Sequence, residues 1–202
     1  MLEASHISFG YGDRVLYRGF DFAVSPGERV ALVAPSGFGK TTLCRILAGY
    51  EAPWSGEVLI DGSPLPARGA CPVQLVLQHP ELAVDPRMRM RDVLREAGEA
   101  PERIVSGLGI QEKWKTRFPH ELSGGELQRF CIARALAANP RYLIADEIST
   151  MLDALTQAQI WRFLLEECDL RRMGLVFVSH SPALTARVAT RTVDLASCAL
   201  NG

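Results

Sequence analysis

The sequence predicts an α/β fold in which helices flank a mostly parallel sheet, with an antiparallel β flank at the N-terminal end and a helical insert. Three observations predict it. A short apolar run at residues 30–33 enters a Pro/Gly turn and then an amphipathic segment at residues 40–47, the pattern of strand, loop and helix. From residue 142 onward, apolar runs alternate with helical segments, which makes a parallel sheet. Between residues 79 and 119 the composition shifts to short helical pieces split by glycine and proline. The 202 residues suit a single domain, with 1–78 and 120–202 forming the core and β flank and about 79–119 the helical subdomain insert.

Taken in order, residues 2–24 read as short strands, SHISF and RVLYRGFDFAV, broken by a glycine-rich turn. Pro26-Gly27-Glu28 is a tight turn into the next strand, and the helix at 40–47 meets its stop at Gly49. EVLIDG at 57–62 reads as strand and turn, and VQLVLQ at 73–78 as a buried strand of the same sheet system. The pieces MRMRDVLREAGEA, PERIVSGLG and QEKWKTRF make the insert. A long helix follows Ser123, with Leu127, Phe130, Cys131, Ala135 and Leu136 near one face, and Pro140 ends it. Then come a strand at 142–145, a helix from about 155 to 168, a strand at 175–178, a helix near 182–188 and a last strand at 192–195.

Composition narrows the partners. With 22 basic against 23 acidic residues the net charge is −1, so no global field draws the chain to nucleic acid or anionic lipid. No apolar stretch approaches the roughly 20 residues that cross a bilayer, and no basic-then-apolar leader opens the chain, so the expected place is the cytosol. Cys44, Cys71, Cys131, Cys168 and Cys198 are scattered and odd in number, which argues for reduced, packed thiols rather than a disulfide frame or a zinc site.

Residues 29–49, RVALVAPSGFGKTTLCRILAG, carry the first chemical signal. Glycines let a loop fold back so that several N–H groups point into one hollow, and the following helix aims its positive end there. Ser36, Gly37, Phe38, Gly39, Lys40, Thr41 and Thr42 fit the phosphate-loop pattern G-x-x-x-x-G-K-[ST], with Ala34 in the place of the first glycine. Lys40 is placed to reach the outer phosphates and Thr41 to hold Mg²⁺. Ala34 is tolerable where φ is negative, and Phe38 is expected to point its side chain outward while its N–H faces phosphate. The core is therefore that of a P-loop NTPase. Asp146 and Glu147 follow the apolar strand YLIA, where the first carboxylate can hold the metal through water and the second can polarise an attacking water.

LSGGELQR at 122–129 opens a second helix with Ser123, Gly124 and Gly125. Ser123 with Glu126 three residues on makes a capping box, which does not explain the paired glycines. Here the chain resembles the ATP-binding-cassette (ABC) ATPases, whose signature is LSGGQ, with Glu126 in place of Gln. The resemblance runs from the N-terminal strands to His180, with the motifs in the family's order. It implies that Tyr11 stacks on adenine, that Gln78 contacts Mg²⁺ and the lytic water, that Asp153 ends a loop crossing a dimer interface, and that His180 contacts the γ-phosphate. It further implies two cassettes packed head to tail, each P-loop closed by the other's Ser123, Gly124, Gly125 and Glu126, the second being a copy of this chain or a paralogue.

DPRMRMRDVLREA, FPHELSGGELQRFCIARAL and ADEISTMLDALTQAQIW are most similar to the importer branch for oligopeptides, dipeptides, nickel or metal chelates. That resemblance implies an ATPase coupled to transport, held at the cytoplasmic face of the membrane by separate permease subunits and fed by an extracytoplasmic substrate-binding protein. The alternative is a soluble cassette of a complex without a permease, such as a phosphonate-cleaving assembly.

Overall fold

A computed structural model describes residues 1–150 and 152–198, with the side chain of Cys198 outside the description. Two sheets share the work. Strands β1 (Leu2–Tyr11) and β2 (Arg14–Val24) form a hairpin, and β3 (Arg29–Val33) leads into α1 (Lys40–Leu47). β4 (Ser55–Ile60), β5 (Ser63–Pro64) and β6 (Val73–Val76) follow. Short helices α2 (Met90–Arg95), α3 (Glu102–Gly107) and α4 (Glu112–Lys115) precede the long α5 (Gly124–Ala137). The chain then alternates through β7 (Tyr142–Asp146), α6 (Ala154–Arg171), β8 (Gly174–Val178), α7 (Pro182–Val188) and β9 (Arg191–Asp194), closing with α8 (Leu195–Cys198).

The parallel sheet has the order β6-β7-β8-β3-β9, and the antiparallel sheet β2-β1-β4-β5. EVLIDG and VQLVLQ therefore lie in different sheets, which corrects the expectation of one sheet system. β4 pairs antiparallel with β1 through Leu2↔Ile60 and Ala4↔Val58, whereas β6 pairs parallel with β7 through Val73↔Tyr142. The β6 pairing ends at Val76↔Ala145, so Leu77 and Gln78 leave the strand rather than complete it.

Period-two alternation sorts the parallel strands onto two cores. Val30, Leu32, Tyr142, Ile144, Val176 and Val178 face the antiparallel sheet and α1. Ala31, Leu143, Ala145, Leu175 and Phe177 face α5, α6 and the short helices. Helix α5 is buried on more than one side, since Ile132 and Ala133 join the five expected apolar positions. It ends at Ala137, and Asn139, at φ 50°, turns the chain away one residue before Pro140. Helix α6 outruns its expected end by three residues, and Arg172 at φ 51° caps it. The fully buried Glu167 faces Arg103 of α3 at 2.5 Å, an ion pair that ties α3 to α6, and Arg171 one turn along its own helix at 2.6 Å. Cys44, Cys71, Cys131 and Cys168 are unpaired, and burial pushes the Cys131 thiol up to about 11 and the Cys168 thiol to about 12.

Candidate functional site

The turn between β3 and α1 is built on residues that permit positive φ. Gly37 and Gly39 both have φ 84°, and a Cβ on Gly39 would stand 2.8 Å from the Tyr17 hydroxyl. Ala34 is absent from the positive-φ residues, as its side chain requires. Its carbonyl accepts from Lys40 Nζ at 2.8 Å, and the Pro35 carbonyl does so at 3.2 Å. Phe38 is 39% exposed, so its ring does point outward. Its N–H, however, donates to Pro35 O at 3.4 Å and closes a four-residue turn, so that amide is engaged within the loop instead of facing the hollow.

Two residues that sequence reasoning missed support this loop from outside. The Tyr17 hydroxyl donates to Gly39 O at 2.9 Å, and Arg14 Nη2 donates to Gly37 O at 2.7 Å. Both belong to β2, the strand next to the tyrosine at position 11, and the hairpin spacing is the signal that could have found them.

A cleft of about 340 Å³ opens over the loop. Tyr11, Ser36, Gly37, Gly39, Lys40, Thr41 and Thr42 line it, together with Arg14 and Glu147. Tyr11 is half exposed, steadied by an edge contact with Phe9 at 5.1 Å.

Asp146 is reached by parity. It shares the face of Tyr142 and Ile144, the face that α1 covers, and it stands beside the Thr41 side chain. Burial holds its carboxyl above the usual carboxylate range; Thr41 opposes that shift, and the neighbouring Glu147 charge adds to it. Its Oδ1 is buried with no hydrogen-bond partner. A hydroxyl and an orphaned carboxylate oxygen at a phosphate loop are the donor set that a hard divalent cation such as Mg²⁺ takes, with water and phosphate oxygens filling the remaining positions. Among the described residues no cluster of three or more His, Cys, Asp or Glu forms an all-protein metal cage.

Glu147 stands at φ 51°, outside the strand path, which swings its carboxylate off β7. A non-glycine residue there costs on the order of 1 kcal/mol, strain of the kind stored at functional sites. Both oxygens are engaged. Gln78 Nε2 donates to Oε2 at 3.1 Å, and His180 Nε2 lies 2.8 Å from Oε1. Gln78 is positioned by another missed residue, Gln128 of α5, whose amide donates to the Leu77 carbonyl at 3.1 Å.

The second helix start lies apart from this cleft. Ser123 caps α5, accepting from Glu126 N at 3.3 Å while Glu126 accepts from Ser123 N at 2.8 Å, so the capping box does form. Accepting leaves the Ser123 hydroxyl proton available for a ligand. A Cβ on Gly125 would meet Leu152 at 3.0 Å, the reason for a glycine there. Gly124 is the first helical residue. Asp153 caps α6 through Thr156 N at 2.9 Å, and that backbone bond holds its carboxyl below the usual range. None of Ser123, Gly124, Gly125, Glu126 and Asp153 lines the loop cleft.

The chain matches the family model described as ABC transporter over residues 17–150. It is 37% identical over 193 residues to the nickel import ATP-binding protein NikE of Rhodospirillum rubrum, covering 85% of this chain and 69% of NikE. It is 35% identical over 189 residues to the glutathione import ATP-binding protein GsiA of Pectobacterium atrosepticum, covering 84% of this chain and 30% of GsiA. The chain thus spans less than a third of one such curated relative and about two thirds of the other. Among solved structures, the dimeric post-hydrolysis ATP-binding cassette MJ0796 bound to ADP and Pi has a TM-score of 0.80 at 24% identity, covering 96% of this chain and 94% of that one, a likeness of fold.

Proposed function

The chain belongs to the ABC transporter family, and from that membership we propose that it is an ATP-binding and ATP-hydrolysing subunit of an ABC importer. The observation that carries the catalytic part is Glu147, held on both carboxylate oxygens beside the phosphate loop. In this reading Tyr11 stacks on adenine, and Ser36, Gly37, Gly39, Thr41 and Thr42 surround the phosphates. The positive end of α1 and the Lys40 ammonium balance charge developing on the γ-phosphate. Lys40 has three N–H donors and gives two to loop carbonyls, so binding a triphosphate exchanges those contacts for phosphate oxygens. Glu147 takes up the proton of the attacking water while Gln78 and His180 fix its orientation. Thr41 and Asp146, with Gln78 nearby, would hold Mg²⁺, which supplies positive charge to the phosphate oxygens when bound.

The separation of Ser123, Gly124, Gly125 and Glu126 from the cleft supports a composite site, completed when a second cassette, a copy or a paralogue, packs head to tail with Asp153 at the interface. The NikE and GsiA names, nickel import and glutathione import, support the import reading, and we assign peptides, nickel or metal chelates as the cargo classes. Among the described residues no helix is long and apolar enough to cross a membrane, so we assign the translocation path to separate permease subunits. The chain would sit at their cytoplasmic face, served by an extracytoplasmic binding protein, and the segment at about 79–119 would pass motion to them. The test is phosphate release from MgATP by the wild-type chain and by Lys40→Ala. Release abolished by the substitution is the expected result, and equal ATP affinity and rate in the variant would remove the loop assignment.

A further inference from the structure

The tip of the β1–β2 hairpin places two different chemistries side by side. Tyr11 and Arg14 are directly opposed partners across the two-residue turn, so their side chains leave the same face with Cβ atoms about 4.5–5.5 Å apart. Tyr11 presents a half-exposed ring, and Arg14 reaches the other way to the phosphate loop, where its Nη2 rests on Gly37 O at 2.7 Å. Both line the one cleft that Lys40 and Thr41 also line.

Arg14 differs from three arginines elsewhere in the fold. Arg29, Arg141 and Arg191 lie within 2.8 Å of Asp169, Asp61 and Glu28 respectively. Among the described residues no carboxylate ion-pairs with Arg14, and its guanidinium donates to a carbonyl. A guanidinium carries five N–H donors in a rigid fork suited to phosphate oxygens, and one bond to Gly37 leaves most of them for a ligand. The cleft therefore holds a second cation besides Lys40, set between the aromatic ring and the loop.

We infer that Arg14 is a nucleotide-binding residue that takes the part of the nucleotide nearest the base, the ribose-linked α-phosphate. This deepens the ATP-site reading and rests on it. The geometry divides the labour. Lys40, at the first turn of α1, serves the outer phosphates, whereas Arg14, opposed to Tyr11, serves the α-phosphate, which ATP, ADP and AMP all carry. The bond to Gly37 fixes the guanidinium without consuming its charge, which pre-organises it for an anion.

Equilibrium binding of ATP, ADP, AMP and adenosine to the full chain in EDTA, for wild type and Arg14 variants, tests this, with thermal unfolding as the check on folding. Arg14→Ala should weaken ATP, ADP and AMP by the same factor, about tenfold for one charge-assisted phosphate contact, and leave adenosine and the unfolding midpoint unchanged. Arg14→Lys should recover part of the loss and Arg14→Gln none of it. An Arg14→Gln chain that binds like wild type would reduce the residue to a loop prop and overturn the inference. So would a loss that spares AMP, which would move the contact to the outer phosphates. Wild type that binds ATP and ADP alongside an unimpaired Arg14→Ala overturns this inference alone; wild type that binds neither overturns the ATP-site reading together with it.

Discussion

Gln78 donates its side-chain amide to Glu147 Oε2 at 3.1 Å, joining the residue that leaves β6 to the carboxylate that leaves β7. The bond spans two neighbouring parallel strands at the end where both chains turn away from the sheet. It fixes one oxygen of the carboxylate while His180 fixes the other. In the proposed mechanism, motion of the segment after Gln78 would thereby reach Glu147, the group assigned to the attacking water.

Gln78→Ala should accordingly lower turnover more than nucleotide affinity. Freeing one oxygen of an oriented base costs about tenfold in rate or more, whereas the loop, Lys40 and Tyr11 are untouched. Comparing kcat with ATP affinity for wild type and variant reads the split, and a variant impaired in affinity with normal kcat would put Gln78 in binding instead.

Asp146→Asn should stabilise the nucleotide-free protein. The wild-type carboxylate is 2% exposed with one oxygen unpartnered, and its pKa is raised above an unfolded value of about 3.9. The folded state thus holds the proton more tightly. The penalty of ionising the group is absent below about pH 4 and complete above the folded-state pKa. Removing it should gain on the order of 1 kcal/mol at neutral pH and nothing in acid. Chemical denaturation of both proteins in EDTA across this pH range measures the difference; a variant less stable at pH 7 would contradict the account of the orphaned oxygen.

Gly125→Val should separate binding from turnover. The new side chain meets Leu152, where even a Cβ would lie at 3.0 Å, and it alters the start of α5 without touching the loop cleft. ATP affinity of the single chain should stay within about twofold, while hydrolysis, which in the proposed arrangement needs a second chain's helix start, should fall at least about tenfold. Parallel loss of both would place Gly125 in its own chain's site.

The strand, loop and helix of residues 29–49 were legible because glycine, lysine and threonine have few other reasons to stand in that order, and β3 and α1 bear this out. The parallel alternation after Tyr142 was legible from apolar runs buried on both faces. Sheet membership was not: an apolar run shows that a segment is a strand but not which strand it joins, so β4 and β6 were merged. The φ of 51° at Glu147 was invisible because glycine and asparagine, not glutamate, announce that conformation. Arg14, Tyr17 and Gln128 act on backbone carbonyls, and a carbonyl leaves no residue type in the sequence to mark where its donor must be.

The central claim is that ATP bound at the loop is hydrolysed with Glu147 as the base, and it is tested most directly by phosphate release from MgATP at saturating nucleotide for wild type and Glu147→Gln. Glutamine keeps the shape and can hold the Gln78 and His180 contacts but accepts no proton. The account predicts turnover reduced by about 10²-fold or more with ATP still bound; a Glu147→Gln chain releasing phosphate at the wild-type rate would contradict it.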